Sequence, residues 1–214
     1  MEAKTNRLIS IIKDAKNSYS EDNFVLLIPR FVSKSFTSFC SMREDLILIK
    51  EYIRRLKNEE DSILKSALTY SSISLYGKCF TDATNKKAPK LEPKQIFTTK
   101  TELLDTHEYL MNLRHNFIAH RGDTEVEVEA AYLLIPKKDG EAQVRYSQLK
   151  QMSFHKEQHI KIIELVDFLL DIVMNKIEKT GEKTYSGFLN ILDDFTPEQI
   201  QFMMVNNIKE TNLV

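Results

Sequence analysis

The chain has 214 residues, of which 30 are Lys or Arg and 31 are Asp or Glu, giving a formal net charge of −1. That balance excludes a surface that is basic throughout, so any nucleic-acid site has to be a local patch. The length allows one domain with a real core, or one with an appendage, and only five glycines and five prolines favour helices over sheet.

Residues 1–16 have the apolar spacing of a short amphipathic helix through Leu8, Ile9, Ile11 and Ile12, with no apolar run of signal-peptide length. NSYSEDNF then reads as a turn. A long helix is predicted over 33–57, with Phe36, Phe39, Cys40, Ile47, Tyr52, Ile53 and Leu56 among its apolar positions. A second is predicted over 61–80, carrying Ser66, Ser71, Ser72 and Ser74. Those serines serve either close helix packing or a polar cleft. Cys40 and Cys79 sit in apolar helical patterns and are read as reduced core residues of a cytoplasmic protein. Residues 81–100 form the clearest loop, with two prolines and five lysines (Lys86, Lys87, Lys90, Lys94 and Lys100). This is either a solvated connection or a flexible basic arm.

A helix over 101–120 follows, and it carries the one stretch that looks like chemistry, LRHNFIAHRG from Leu113 to Gly122. At about 100° per residue, Leu103, Leu104, Leu110, Met111, Leu113, Phe117 and Ile118 share one broad face. Arg114 projects into the middle of that face, in line with His107 and Arg121. An unpaired guanidinium removed from water there would cost several kcal/mol, so Arg114 must meet a carboxylate or border a wet cleft. Asn116 and His120 lie four apart on the neighbouring flank. Gly122 stands where a helix stop belongs.

Beyond the motif the period changes to two. Charged and apolar residues alternate through Glu125–Glu129 and resume at 142–146, with Asp139-Gly140 between them, which predicts a β-hairpin over about 125–149. A final long helix is predicted over 154–178. It is apolar on more than one face, as befits contact with both a bundle and an oligomer partner, and Glu164, Asp167 and Asp171 form an acidic stripe that could pair with Arg114 or Arg121. The charges interrupting this apolar stretch argue against a membrane span. Thr180–Tyr185 reads as a hinge, and two short helical pieces finish the chain, the second opened by Thr196-Pro197-Glu198. The tail with Phe202, Met203 and Met204 reads as a packing strap or partner surface. The domain reading is therefore a helical domain over 1–182 and a C-terminal helical tail over 183–214.

There is no glycine-rich phosphate loop, no paired-cysteine metal motif and no nucleophile elbow. His155 and His159 have metal-pair spacing without a third ligand, and His107 reads as a core-edge residue. No cofactor and no metal are expected.

Arg114, the polar His115 directly after it, His120 six positions on from the arginine, and the following Arg121-Gly122 together resemble the Arg-x(4-6)-His motif of the HEPN superfamily. The resemblance implies an all-α fold, an antiparallel four- to five-helix bundle, here with the β-hairpin inserted. It also implies a metal-independent endoribonuclease of a toxin-antitoxin or phage-defence setting. In such an enzyme a ribose 2′-hydroxyl attacks the adjacent phosphate. His120 would act as general acid or base and Arg114 would stabilise the phosphorane-like transition state, while His115 and Asn116 orient the phosphate or the imidazole. The implied partners are RNA, a second copy with the motif at the dimer cleft, and an antitoxin or defence-complex protein. The alternative is a HEPN-like dimeric scaffold without cleavage activity, in which Arg114 is a structural ion pair and His120 a cap. Nucleotide binding or transfer without cleavage is a third reading, disfavoured by the missing phosphate loop.

Overall fold

The computed structural model describes residues 2–19, 21–23, 25–82, 88–119, 126–138, 140–151 and 153–203. These residues are mostly helical, with one two-stranded antiparallel sheet. The helices are α1 (Glu2–Tyr19), α2 (Arg30–Leu56), α3 (Ser62–Phe80), α4 (Pro93–Ile96), α5 (Leu104–Asn112), α6 (Lys156–Leu192) and α7 (Pro197–Met203), and the strands are β1 (Glu127–Leu134) and β2 (Gln143–Lys150). A 3₁₀ turn, Thr101–Leu103, precedes α5, and a π-helical segment, Leu113–Ala119, continues it. The chain divides into two compact units, Met1–Thr37 with Ile177–Val214, and Ser38–Lys176.

The core of the second unit follows from helical spacing. On α2 the buried positions Phe39, Met42, Leu46, Ile49, Ile53 and Leu56 recur every three or four residues, and Ile162, Leu165, Val166, Leu169 and Val173 do the same on α6. Ile47, read from sequence as part of the α2 stripe, is 48% exposed and lies outside it. α3 begins at Asp61, whose carboxylate accepts hydrogen bonds from the backbone N–H of Ile63 (2.8 Å) and Leu64 (3.0 Å). Its serines divide as the close-packing reading expects: Ser72 is buried and donates to the Leu68 carbonyl at 2.8 Å, and Ser74 is exposed. Both cysteines are free thiols, and burial pushes the Cys79 thiol up to about 12.

Two loop readings are corrected. Residues 88–100 are a strap packed into the core, not a free basic arm: Leu91, Ile96 and Phe97 are buried, and the Leu91 N–H donates to the Cys79 carbonyl at 2.9 Å. Lys90 meets Asp82 at 2.9 Å and Lys100 meets Glu102 at 3.2 Å. Lys86 and Lys87 lie outside the described residues. There is also no break at Thr180–Tyr185, because the 37-residue α6 runs through it. A single mid-helix glycine costs only about 1 kcal/mol, too little to stop a long packed helix. In the first unit, a Cβ at Gly181 would lie 3.5 Å from the Phe36 ring and one at Gly187 would lie 3.4 Å from Val32, ordinary contact distances, so both glycines face packed side chains within a regular helix. α7 starts as read, with Pro197 at its first position, and Thr196 and Gln199 form a capping box: the Gln199 N–H donates to Thr196 Oγ1 at 3.3 Å, and the Thr196 N–H donates to Gln199 Oε1 at 2.8 Å.

The hairpin pairs Glu127 with Lys150 through to Leu134 with Gln143. Its connection runs from Ile135 to Ala142, longer than a two-residue turn, with Gly140 at φ +152°. Asp139 lies outside the described residues. Among the described residues no helix is long and apolar enough to cross a membrane.

Replacing the fully buried Leu165 by Ala should lower the unfolding free energy by about 2–5 kcal/mol, read from urea denaturation. A loss below about 0.5 kcal/mol would place Leu165 outside the core.

Candidate functional site

The site is built where the π-helical segment crosses α3. Tyr70 and Gly77 lie seven residues apart on α3 and so share a face. On the opposing segment, Phe117 packs against Tyr70 with ring centroids 4.9 Å apart. Arg114 packs against Gly77 so closely that a Cβ there would fall 2.5 Å from its Cγ and 3.0 Å from its Cδ. The two contacts run in opposite chain directions, so segment and helix pack antiparallel. Gly77 is a notch through which the aliphatic stem of Arg114 passes. A glycine inside a helix gives up about 1 kcal/mol relative to alanine, and the notch is what that cost secures.

The guanidinium itself has no ion-pair or hydrogen-bond partner among the described residues. Of the three carboxylates of the last helix, Glu164, Asp167 and Asp171, none pairs with Arg114 among the described residues, and Asp167 meets Lys50 of α2. Arg114 is half-buried. His115 is exposed and Asn116 half-buried. His120, with Arg121 and Gly122, lies outside the described residues.

The motif segment is not an α-helix. From Leu113 to Ala119 the backbone takes the wider i→i+5 hydrogen bonding of a π-helix, which is rare and found most often at functional sites. Side chains beyond Asn112 therefore leave the 100° phase on which the apolar face was drawn. Leu103, Leu110 and Leu113 are buried as read, while Phe117 and Ile118 are only half-buried. The same change of phase separates Arg114 from His107, seven residues before it.

His107 is 5% exposed and sits in an aromatic cage, its ring 4.6 Å from Phe80, 4.9 Å from Phe97 and 5.8 Å from Tyr76, centre to centre. Its Nδ1 shares a 2.7 Å hydrogen bond with the Tyr76 hydroxyl. Burial holds its pKa down at about 4. His107 thus ties α5, and with it the base of the motif segment, to α3 and to the strap.

No protein-family model, curated protein or solved structure matches this chain. The site stands on its own residues.

Sequence reasoning missed three of them: Gly77, Tyr70 and Lys150. The last residue of β2, Lys150, brings its ammonium 5.3 Å from the centre of the Tyr70 ring and 5.0 Å from that of Phe117, with Glu127 at 3.6 Å. The Tyr70 hydroxyl, and after it Glu127, hold the Lys150 ammonium above the ordinary lysine range. An isolated glycine in a helical pattern is the only signal that pointed to Gly77. Nothing local marks Lys150, which reaches the site through the hairpin register.

His155 and His159 do not form a metal pair. His155 is exposed and His159 buried, and neither ring nitrogen of His159 has a hydrogen-bond partner among the described residues. Burial, then Lys57, lowers its pKa. Among the described residues no group of three or more His, Cys, Asp or Glu is arranged to hold a metal ion.

Two predictions follow from this geometry. Gly77→Ala should stabilise an Arg114→Ala background by about 1 kcal/mol through helix propensity but be neutral or destabilising in the wild type. The double-mutant cycle then shows a coupling of about 1–3 kcal/mol, and equal effects in both backgrounds would contradict the notch. His107 is bound neutral in the folded chain, whereas the unfolded chain takes up its proton at the ordinary pH near 6.5. Between pH 6.5 and 4 the unfolded state therefore binds more protons. The contribution is complete above pH 6.5 and is lost on acidification toward pH 4, by roughly 3 kcal/mol at most. Urea titrations across this range should show that slope reduced in His107→Asn, and an unchanged slope would refute the assignment.

Proposed function

We propose that this chain is a metal-independent endoribonuclease of HEPN type, acting in a toxin-antitoxin or phage-defence setting. The observation that carries this reading is Arg114, a half-buried guanidinium on a π-helical segment, its stem locked in the Gly77 notch and its head without a carboxylate among the described residues. A cation positioned at such cost and without a carboxylate among the described residues suits a ligand that brings its own negative charge, and a planar two-pronged donor suits the oxygens of a phosphodiester.

In the proposed reaction the ribose 2′-oxygen attacks the adjacent phosphorus and the bond to the 5′-oxygen breaks, leaving a 2′,3′-cyclic phosphate and a 5′-hydroxyl. One proton leaves the attacking hydroxyl and one joins the departing oxygen. His120 supplies one of these transfers as general acid or base, a contribution typically of about 10² to 10⁴-fold. Arg114 stabilises the added charge on the phosphorane-like transition state, and His115 and Asn116 orient the phosphate or the imidazole. One copy of the motif offers half of a two-ended proton relay, so the reading includes a homodimer that brings two motifs to one cleft. Apolar side chains left exposed on α6, Ile160 at 66% and Met174 at 48%, support a second buried face for that helix. The non-catalytic scaffold reading assigns Arg114 to a structural ion pair, and among the described residues Arg114 forms none.

Purified protein should cleave single-stranded RNA in the presence of EDTA and leave cyclic-phosphate ends. Arg114→Ala and His120→Ala should each lower the rate by about 10²-fold or more with folding retained. RNA left intact by the wild type, or cleaved equally by both variants, would overturn the proposal.

A further inference from the structure

The ribonuclease reading accounts for Arg114 but leaves a cluster beside it unused. Tyr70, Phe117 and Lys150 come from three different elements, α3, the motif segment and β2, and meet at one point. Both rings are half-buried, so each keeps surface open to solvent, and the Lys150 side chain is 33% exposed. An ammonium has three donors, shared here between the Tyr70 hydroxyl and Glu127 at 3.6 Å, which leaves one for a ligand. A purely structural clasp between hairpin and helix would be served by an aliphatic side chain. This clasp instead places a cation and two aromatic rings beside the crossing that holds Arg114. The spacing is also fixed. Tyr70 and Gly77 are seven residues apart on one face of α3, about 10 Å along its axis, so the aromatic pair and the Gly77 notch stand at separate points of one helix face.

We infer that Tyr70, Phe117 and Lys150 form a nucleotide subsite flanking Arg114, in which a base of single-stranded RNA stacks on the exposed aromatic surface while Lys150 takes the adjoining phosphate. The inference rests on the ribonuclease reading for the identity of its ligand and adds how the substrate strand is held. Stacking on aromatic faces tolerates every base, so the subsite confers affinity for unpaired RNA and little sequence preference. Duplex RNA, whose bases are already stacked on each other, cannot use it. The hairpin acquires a role as well: its register, which sets Lys150 opposite Glu127 at the base of the ladder, delivers the lysine to the site.

The test uses the full chain and a fluorescein-labelled decamer of 2′-O-methyl-uridine, which lacks the attacking hydroxyl and cannot be cleaved. Its dissociation constant is measured by anisotropy at several salt concentrations. Lys150→Met should weaken binding about tenfold and reduce the salt slope by about one, as expected when one phosphate contact is lost. Lys150→Arg should restore both. Tyr70→Leu should weaken binding about tenfold with the slope unchanged, since stacking carries no counterion term. Thermal melting of each variant checks that the fold is kept. Wild-type affinity and slope in Lys150→Met and Tyr70→Leu would overturn the subsite, as would a wild type that does not bind the decamer. The two readings separate cleanly. Cleavage of ordinary RNA with unaffected decamer binding in the variants sinks the subsite alone. Decamer binding that depends on Lys150 and Tyr70 without any cleavage supports the subsite and sinks the ribonuclease.

Discussion

The arrangement turns on a close approach between one side chain and one missing side chain. Arg114 can lie along α3 only because position 77 has no Cβ; with one there, the distance to Arg114 Cγ would be 2.5 Å. Helix propensity argues against glycine at that place by about 1 kcal/mol, and leaving a guanidinium half out of water without a counterion among the described residues argues against arginine there by more. Both costs fall on the same contact. A structure that needed only helix packing would relieve them together by an alanine at 77 and a leucine at 114. That it bears both is the physical case for treating this crossing as a binding place for an anion.

The surroundings of that contact are built to hold it still. His107, neutral and caged among Tyr76, Phe80 and Phe97, fastens α5 to α3 just before the backbone changes from α to π geometry. Phe97 comes from the strap, whose Leu91 hydrogen-bonds into the end of α3, so the segment that looked like a free basic arm works as a brace. On the other side the Tyr70–Phe117 pair and Lys150 close the crossing. Arg114 therefore sits between two anchored points, and a guanidinium held in place needs less reorganisation to meet a phosphate than one on a mobile stem.

Much of this was legible in the sequence, for identifiable reasons. The helices and the hairpin declare themselves in the sequence: α2 and α6 by apolar residues three and four apart, the strands by alternation, α7 by Thr196-Pro197-Glu198. The motif was legible because an arginine stood where the helical pattern demanded an apolar residue. What could not be read depended on contacts distant in sequence. Gly77 and Arg114 are 37 positions apart, and Lys150 lies 33 positions beyond Phe117. The π-helical turn left no mark in the periodicity, so the phase assigned after Asn112 was wrong, and with it the alignment of His107 with Arg114. Gly181 misled in the opposite direction: a glycine near polar residues looked like a hinge, yet it sits inside a continuous α6 against Phe36. His155 and His159 are alike in spacing alone, since the first is exposed and the second buried.

The central claim, that the Arg114 guanidinium meets a phosphodiester, is tested most directly by nitrogen-detected NMR of the arginine side chains during titration with a uncleavable 2′-O-methyl dinucleotide. The Nε resonance of Arg114 is identified by its loss in Arg114→Lys. The account predicts that this resonance shifts in a saturable way and that its N–H exchanges more slowly once the ligand is bound. A resonance that stays in place while the dinucleotide binds elsewhere, or that never responds at saturating ligand, would contradict it.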